Sequence, residues 1–249
     1  MNSFERHGIE HLSASSINLF AASPALFVLE KVLKRRTGVG AAAHRGSAVE
    51  AGIMLGLLNG ADDDACIAEA KKIFGQKTAL SGDPRREHEA ESLAAMVING
   101  LNELRPYGKP SSVQGRIDHR VEGLQVPIIG YYDAEWIDHG ILFDLKTTHR
   151  VPSEISTNHA RQVALYKACR GDNIDARISY CSTKKVATYR LENAAEHLRA
   201  IERIALTIQR FLAVSDDPQE FVGITVPDTD SFYFSDPNTR QAVFETWGF

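Results

Sequence analysis

The segment from Gly130 to Lys167 contains Asp133, Asp144 and Lys146, two carboxylates and one amine that could act together. Carboxylate oxygens are hard ligands that favour Mg²⁺ or Mn²⁺. A divalent ion held against a phosphodiester, with a lysine beside it, can activate water for hydrolysis. These residue types therefore predict metal-assisted chemistry on a phosphodiester.

The apolar run Ile141–Lys146 is typical of a strand. Side chains alternate along a strand, so Asp144 and Lys146 face one way, and the backbone carbonyl of Leu145 between them is a further potential ligand. Asp133 precedes a turn that leads into this strand. In an antiparallel pair the two aspartates would lie within reach of one metal ion.

The alternative interpretation of Asp144 and Lys146 is a surface ion pair on an edge strand. For Asp133, the alternative is a turn or solvent-facing residue. The neighbouring Ile141 and Phe143 indicate instead that the strand is buried. Buried charges need partners or a function.

A helix is predicted from Ser156 to Cys169. Its residues His159, Gln162 and Tyr166 are three and four positions apart, so they share one helical face. A glutamine amide and a tyrosine hydroxyl on that face can bind phosphate oxygens or orient the metal ligands. A partly buried tyrosine is the common alternative for this spacing alone.

The elements around these residues predict an α/β fold. The first hundred residues are mostly helical, three strands follow, then a helix and further strands, and a long amphipathic helix covers Ala194–Val214. A meander joined to a crossover helix gives a mixed sheet with helices on its faces. The tail from Pro227 shows no clear periodicity.

Three motifs carry a resemblance to a known family: Gly130-Tyr-Tyr-Asp133, Asp144-Leu-Lys146-Thr-Thr and Gln162-Val-Ala-Leu-Tyr166. They resemble the PD-(D/E)XK nuclease superfamily, in particular its RecB-like and phage exonuclease-like branch. The segment Leu12–Phe20 with Pro24 after it resembles the N-terminal helix of that branch.

The resemblance implies a restriction-endonuclease-like core, a mixed central sheet flanked by helices, with an N-terminal helical annex. We expect one nuclease domain over residues 1–249: an annex at 1–106 that contributes one metal ligand, the core at 111–214, and a C-terminal tail at 215–249.

By the same resemblance, Asp133, Asp144 and the Leu145 carbonyl hold the metal, and Lys146 is the catalytic lysine. The exonuclease-like members place a glutamate after a glycine on the preceding helix, which Gly46-Ser-Ala-Val-Glu50 matches. Glu50 is therefore the expected additional ligand, against the alternative of a solvated helix residue. The expected substrate-binding residues are Gln162, Tyr166, Thr147, Thr148, Arg45 and Ser15.

The expected cofactor is one or two Mg²⁺ or Mn²⁺ ions. Iron–sulfur members of the branch have a cysteine before the proline, where this chain has Ser23, and a C-terminal cysteine group. The three cysteines here are scattered, at Cys66, Cys169 and Cys181, while a cluster takes four thiolates. We therefore expect no iron–sulfur cluster.

The net charge of −4 and the pI of about 6.1 exclude a global basic field of the kind that architectural DNA-binding proteins carry. Phosphate binding would therefore depend on a local group of basic residues. The alternative is that these residues are solvated and bind no phosphate. The group consists of Lys31, Lys34, Arg35, Arg36, Arg45, Arg150 and Arg161.

No apolar run is long enough to span a membrane, and the segment Met1–Glu10 lacks the apolar stretch of a secretory signal. We therefore expect a cytoplasmic protein with no membrane partner.

The expected activity is that of a metal-dependent DNA exonuclease in phage DNA processing or in recombination and repair. A structure-specific or non-specific endonuclease, a non-catalytic DNA-binding or assembly subunit, and a metal-dependent RNase are the alternatives. The expected partner is DNA. No G-x-x-x-x-G-K-[ST] motif occurs, so a helicase or recombination partner would be a separate polypeptide. Homo-oligomerisation stays open.

Overall fold

The computed structural model describes residues 1–35, 38–234 and 236–248. The chain forms two compact units. The first comprises Met1–Gly38, Arg116–Gly130 and Asn193–Phe249, and the second comprises Val39–Gly115 and Tyr131–Glu192.

Several helices of the first unit begin at a residue whose side chain accepts a hydrogen bond from a free backbone N–H group. Ser13 and Ser16 form a reciprocal capping box at the start of α1. A short π-helical segment, Val28–Val32, follows α2. The α-helices of this unit are α1 (Ala14–Ala22), α2 (Pro24–Phe27), α8 (Ala194–Leu212), α9 (Pro218–Gly223) and α10 (Pro237–Trp247).

Helix α10 lies in the tail, where the sequence periodicity does not predict a helix. Asp236 accepts a hydrogen bond from the Thr239 N–H at 2.8 Å, and Pro237 occupies the first helical turn. The Trp247 indole donates to the Val222 and Thr225 carbonyls at 3.1 and 2.9 Å. The Asp-Pro pair was the available signal for this helix.

Five α-helices belong to the second unit. The helices of its N-terminal part agree with the prediction that the first hundred residues are mostly helical, and Ser92 separates two of these helices. The five are α3 (Ala41–Asn59), α4 (Asp63–Lys77), α5 (Arg86–Glu91), α6 (Leu93–Leu104) and α7 (Thr157–Arg170).

The five strands form one mixed sheet in the order β1-β2-β3-β4-β5. Strand β3 pairs antiparallel with β2 and parallel with β4, and β5 pairs antiparallel with β4. A parallel pair needs a crossover connection, which α7 supplies between β3 and β4. The strands are β1 (Ser112–His119), β2 (Ile128–Trp136), β3 (Ile141–Thr147), β4 (Asp175–Cys181) and β5 (Val186–Arg190). The predicted mixed sheet flanked by helices is thereby confirmed.

The strand β3 is central, and its first five residues, Ile141 to Leu145, are all buried. Apolar side chains from α3, α4 and α6 form one core with Trp136, Phe143 and Leu145 of the sheet. Strand β3 is almost continuously apolar because both of its faces are covered by other parts of the protein. In the part of the chain that the structure describes, no helix is long and apolar enough to cross a membrane.

Helix α3 approaches α4 closely at Gly52. A Cβ atom built at Gly52 would lie 2.6 Å from the Cys66 carbonyl oxygen and 3.2 Å from the Ala70 Cβ. The first of these is a backbone atom, which cannot move aside as a side chain can. Glycine at position 52 thus sets how deep α3 lies in the core.

We expect Gly52→Ala to destabilise the fold by about 1–3 kcal/mol, because the added methyl group overpacks the contact between α3 and α4. Urea denaturation measures this change. The matched control is Gly75→Ala in α4, where an added Cβ meets no atom within 4 Å. Alanine there is a better helix former and should be neutral or stabilising by up to about 1 kcal/mol. Equal stability of both variants would contradict the close-packing interpretation.

Candidate active site

The two predicted aspartates lie side by side on β2 and β3. Ala134 pairs with Phe143 in the antiparallel register, so the next position brings Asp133 opposite Asp144. The Leu145 N–H donates to Asp133 Oδ2 at 2.6 Å. The structure therefore joins the two carboxylates across the strand pair, as the turn between them predicts.

Lys146 lies on the same face of β3 as Asp144, and its Nζ is 2.7 Å from Asp144 Oδ2. Asp144 is only 1% exposed. At this distance the two groups form an ion pair.

Glu50 reaches the same place from α3. The Gln114 side chain on β1 donates from Nε2 to Glu50 Oε1, and the same nitrogen lies 3.4 Å from Asp133 Oδ1. Sequence reasoning missed Gln114. Its only signal was a polar residue beside Gly115 in a strand whose other positions alternate.

Glu50, Asp133, Asp144 and Lys146 form a group of charged residues that we call the carboxylate cluster, and burial and neighbouring charges shift the pKa values of three of them, Glu50, Asp133 and Lys146. Burial raises the pKa of Glu50, and the Asp144 charge raises it further. Burial, followed by the charges of Asp144 and Glu50, raises the pKa of Asp133 well above its ordinary value.

Lys146 responds in the opposite sense. Burial alone would lower its pKa, but the charges of Asp144 and Asp133 outweigh burial and raise the pKa above the ordinary lysine value. Lys146 is therefore an ammonium group at neutral pH in the metal-free protein.

Helix α7 presents its predicted polar face to the cluster. Gln162 Nε2 donates to Asp144 Oδ1 at 3.3 Å and lies 2.6 Å from the Tyr166 hydroxyl. Tyr166 is 3% exposed, and burial raises its pKa. Two roles were predicted for this helical face: binding phosphate oxygens and orienting the metal ligands. The observed contacts correspond to the second role, because Gln162 orients the Asp144 carboxylate. Direct contact with substrate stays a prediction.

His159 on the same helix face contacts Tyr180, with Nδ1 2.8 Å from the tyrosine oxygen. Burial, and then the charge of Lys146, lower its pKa to about 4. His159 is therefore neutral at neutral pH.

Arg45 ties α3 to the end of β3. Its guanidinium donates to Glu89, and to the Thr147 carbonyl and hydroxyl oxygens at 3.2 and 3.3 Å. His149 Nε2 accepts from Arg45 Nη1 at 2.8 Å. Arg45 is 4% exposed and Glu89 is 2% exposed. Arg45 is therefore buried and neutralised, so it adds no free positive charge to the predicted basic group, and its contact with substrate stays a prediction.

The remaining predicted site residues occupy different places. The Thr148 hydroxyl donates to the Arg150 carbonyl at 2.9 Å and so stabilises the turn after β3. Ser15 is exposed and belongs to the first unit, with its hydroxyl 2.9 Å from that of Ser13. The Leu145 carbonyl as a metal ligand stays a prediction, and Arg36 of the predicted basic group lies outside the described residues.

The donor set fits a hard divalent cation. Glu50, Asp133 and Asp144 are oxygen donors whose charges repel one another, and a cation would relieve that repulsion. Among residues 1–35, 38–234 and 236–248, no three His, Cys, Asp or Glu side chains converge closely enough to hold an ion as they stand. Gln114, Gln162 and Lys146 already contact these carboxylates, so binding an ion requires side-chain rotation.

A strand pair that joins two aspartates and a lysine, followed by a crossover helix, lies at the centre of this α/β fold. The model of the PD-(D/E)XK nuclease superfamily matches residues 11–222. The chain therefore belongs to the PD-(D/E)XK nuclease superfamily. This confirms the resemblance at the level of the superfamily, while the RecB-like branch stays a prediction.

No curated protein matches the chain. A solved structure, described as the crystal structure of SSO0001, is similar over 75% of this chain and 87% of that one, with 15% identity and a TM-score of 0.35. A similarity this low leaves the family match as the basis of the assignment.

We expect Arg45→Ala to destabilise the protein by about 3–5 kcal/mol, because the buried Glu89 loses its permanently charged partner and is left with its 3.2 Å contact to His149. In a double-mutant cycle with Glu89→Ala, the double variant should lose less stability than the sum of the single variants. Denaturation curves give all four values. The exposed pair Lys72–Glu69 is the control cycle, with a coupling of at most about 1 kcal/mol.

A second prediction concerns pH. Because the pKa values of Glu50 and Asp133 are raised in the folded state, the stability they contribute is full below the ordinary carboxyl range and is lost as pH rises through the raised values. Without divalent metal, Asp133→Asn should therefore exceed the wild type in stability at pH 8 by about 1 kcal/mol or more, which is about 2–4 °C in Tm. The difference should shrink towards pH 4. Thermal melts in a chelator measure it, with the exposed Asp138→Asn as control. A difference that does not vary with pH would contradict the role given to the raised pKa values.

Proposed function

We propose that this protein is a Mg²⁺- or Mn²⁺-dependent DNA exonuclease that hydrolyses phosphodiester bonds at DNA ends. The observation that supports a hydrolytic site is that the charges of Asp144, Asp133 and Glu50 all act on one ammonium group, Lys146, whose Nζ lies 2.7 Å from Asp144. The family membership of the chain makes a phosphodiester the corresponding substrate.

Glu50, Asp133 and Asp144 would hold one or two ions. When bound, an ion acts as a Lewis acid on the phosphate and favours the ionisation of water. Lys146 supplies N–H donors and positive charge for the charge that develops on the phosphate oxygens. The raised pKa of Lys146 favours this electrostatic role over that of a general base.

Gln162 maintains the orientation of Asp144 through its amide, and Tyr166 in turn contacts that amide. In this arrangement, residues of α7 position the Asp144 carboxylate, and Lys146 on β3 neutralises charge.

The exonuclease assignment draws on the motifs that resemble the RecB-like and phage exonuclease-like branch, including the glutamate version at Glu50. The proposed role is phage DNA processing or recombination and repair, with the chain acting as one nuclease domain. A helicase or recombination partner would be a separate polypeptide.

We expect Lys146→Ala to reduce cleavage of end-labelled linear DNA by about 10²-fold or more, since the charge on the phosphate is no longer neutralised. Asp144→Asn should have an effect at least as large. Initial rates in Mg²⁺ and in Mn²⁺ measure both, and the exposed Lys184→Ala in the turn between β4 and β5 is the matched control.

Linear and covalently closed circular duplexes of the same sequence separate the types of nuclease. An exonuclease requires an end and should leave the circle intact. Cleavage of the circle at a comparable rate would replace the proposal with an endonuclease. Undiminished activity in Lys146→Ala would remove the assigned site.

A further inference from the structure

Among the residues that the structure describes, Gln114 hydrogen-bonds to the carboxylate cluster without belonging to any of the motifs. Its side chain is exposed, whereas Asp133 beneath it is 9% exposed and Glu50 is half-buried. Gln114 thus lies on the outer side of the cluster, between the solvent and the two carboxylates.

One nitrogen atom makes both contacts. Gln114 Nε2 donates to Glu50 Oε1 and lies 3.4 Å from Asp133 Oδ1. Ionised carboxylates only accept hydrogen bonds, so the amide must present its nitrogen, and the two N–H groups suit two acceptors. The hydrogen bond to Gln114 opposes the raising of the Glu50 pKa by burial and by Asp144.

The backbone at this position is unusual. Gln114 has a φ of 49°, in the left-handed region, which is uncommon for residues other than glycine. Such a conformation persists only where the surrounding structure holds it, and it often accompanies a functional site.

The adjacent residue explains part of the constraint. A Cβ atom at Gly115 would lie 2.0 Å from the Tyr132 ring, so the chain must carry glycine there to pass the ring. Tyr132 is fixed in turn by its hydroxyl, which donates to Glu135 at 3.0 Å. This accounts for Gly115, but it does not require a long amide at position 114.

We propose that Gln114 is a positioning residue for the metal site: its amide holds the carboxylates of Glu50 and Asp133 together until a divalent ion binds between them. The inference rests on the proposed function, because it concerns the same metal site. It adds a component from β1 to a site otherwise built from α3, β2 and β3.

Two substitutions separate the amide from the backbone. Gln114→Asn keeps an amide and tolerates the left-handed conformation, but its side chain is one methylene shorter and should not reach both carboxylates. Gln114→Gly removes the amide and relieves the backbone. Gln76→Asn, an exposed glutamine on α4, is the matched control.

Mn²⁺ binding by isothermal titration calorimetry is the primary measurement. Loss of a group that orients a metal ligand typically weakens affinity 10–100-fold, so we expect about a 10-fold or greater increase in the Mn²⁺ Kd for both Gln114 variants and no change for Gln76→Asn. Thermal melts in a chelator verify that each variant is folded.

Cleavage assays supply a second readout. The Mn²⁺ concentration for half-maximal rate should rise in parallel with the Kd, while kcat at saturating Mn²⁺ stays within about twofold of wild type, since the reacting groups are unchanged. A merely structural defect would lower kcat and would not be rescued by excess metal.

The outcomes are distinct. An unchanged or tighter Kd in the Gln114 variants, or a wild type that binds no Mn²⁺, would overturn the inference. Weaker binding in both variants, in a protein that does not degrade DNA, would support the role of Gln114 and overturn the exonuclease proposal alone.

Discussion

The electrostatic constraint on this structure is the burial of three carboxylates around a single ammonium group. Taken alone, Glu50, Asp133 and Asp144 would be costly to ionise in so little solvent, and the raised pKa values of the first two express that cost. Lys146 offsets part of it, and its own raised pKa is the reciprocal effect. The fold tolerates this repulsion because the surrounding hydrophobic core is large and the strand that carries Asp144 is covered on both faces.

Neutral groups, and charged groups that are neutralised by a partner, surround the cluster and fix its geometry. Gln162 fixes one oxygen of Asp144, and the Leu145 amide fixes one oxygen of Asp133. Arg45 donates hydrogen bonds to Thr147 at the end of β3, and Glu89 neutralises its charge. Arg45 therefore fixes the position of this strand end without adding a net charge to the cluster. Helix α3 therefore contacts the sheet through two polar side chains, Arg45 and Glu50, which are five residues apart.

The sequence was sufficient for much of this arrangement, and the reasons are local. Alternation along β3 places Asp144 and Lys146 on one face, and the 3.6-residue repeat places Gln162 and Tyr166 on one face of α7. The course of β1 was harder to foresee. The left-handed backbone at Gln114 lies next to Gly115, which the Tyr132 ring approaches closely, and sequence periodicity reports neither feature.

Other differences share that physical origin. Arg45 looked like one member of a basic group, but its pairing with Glu89 depends on how α5 packs against α3, which the spacing of charges does not report. Helix α10 was obscured because its apolar positions are few, while its Asp-Pro start was informative.

The contact at Gly52 has a consequence for how the protein can diverge. Glu50 lies two residues before Gly52, and the surface that limits the position of the helix is the backbone of α4 at Cys66. Sequence change in α4 is thus coupled by steric fit to the geometry of the carboxylates. Residues that supply none of the proposed ligands can in this way restrict which neighbouring sequences are compatible with the site.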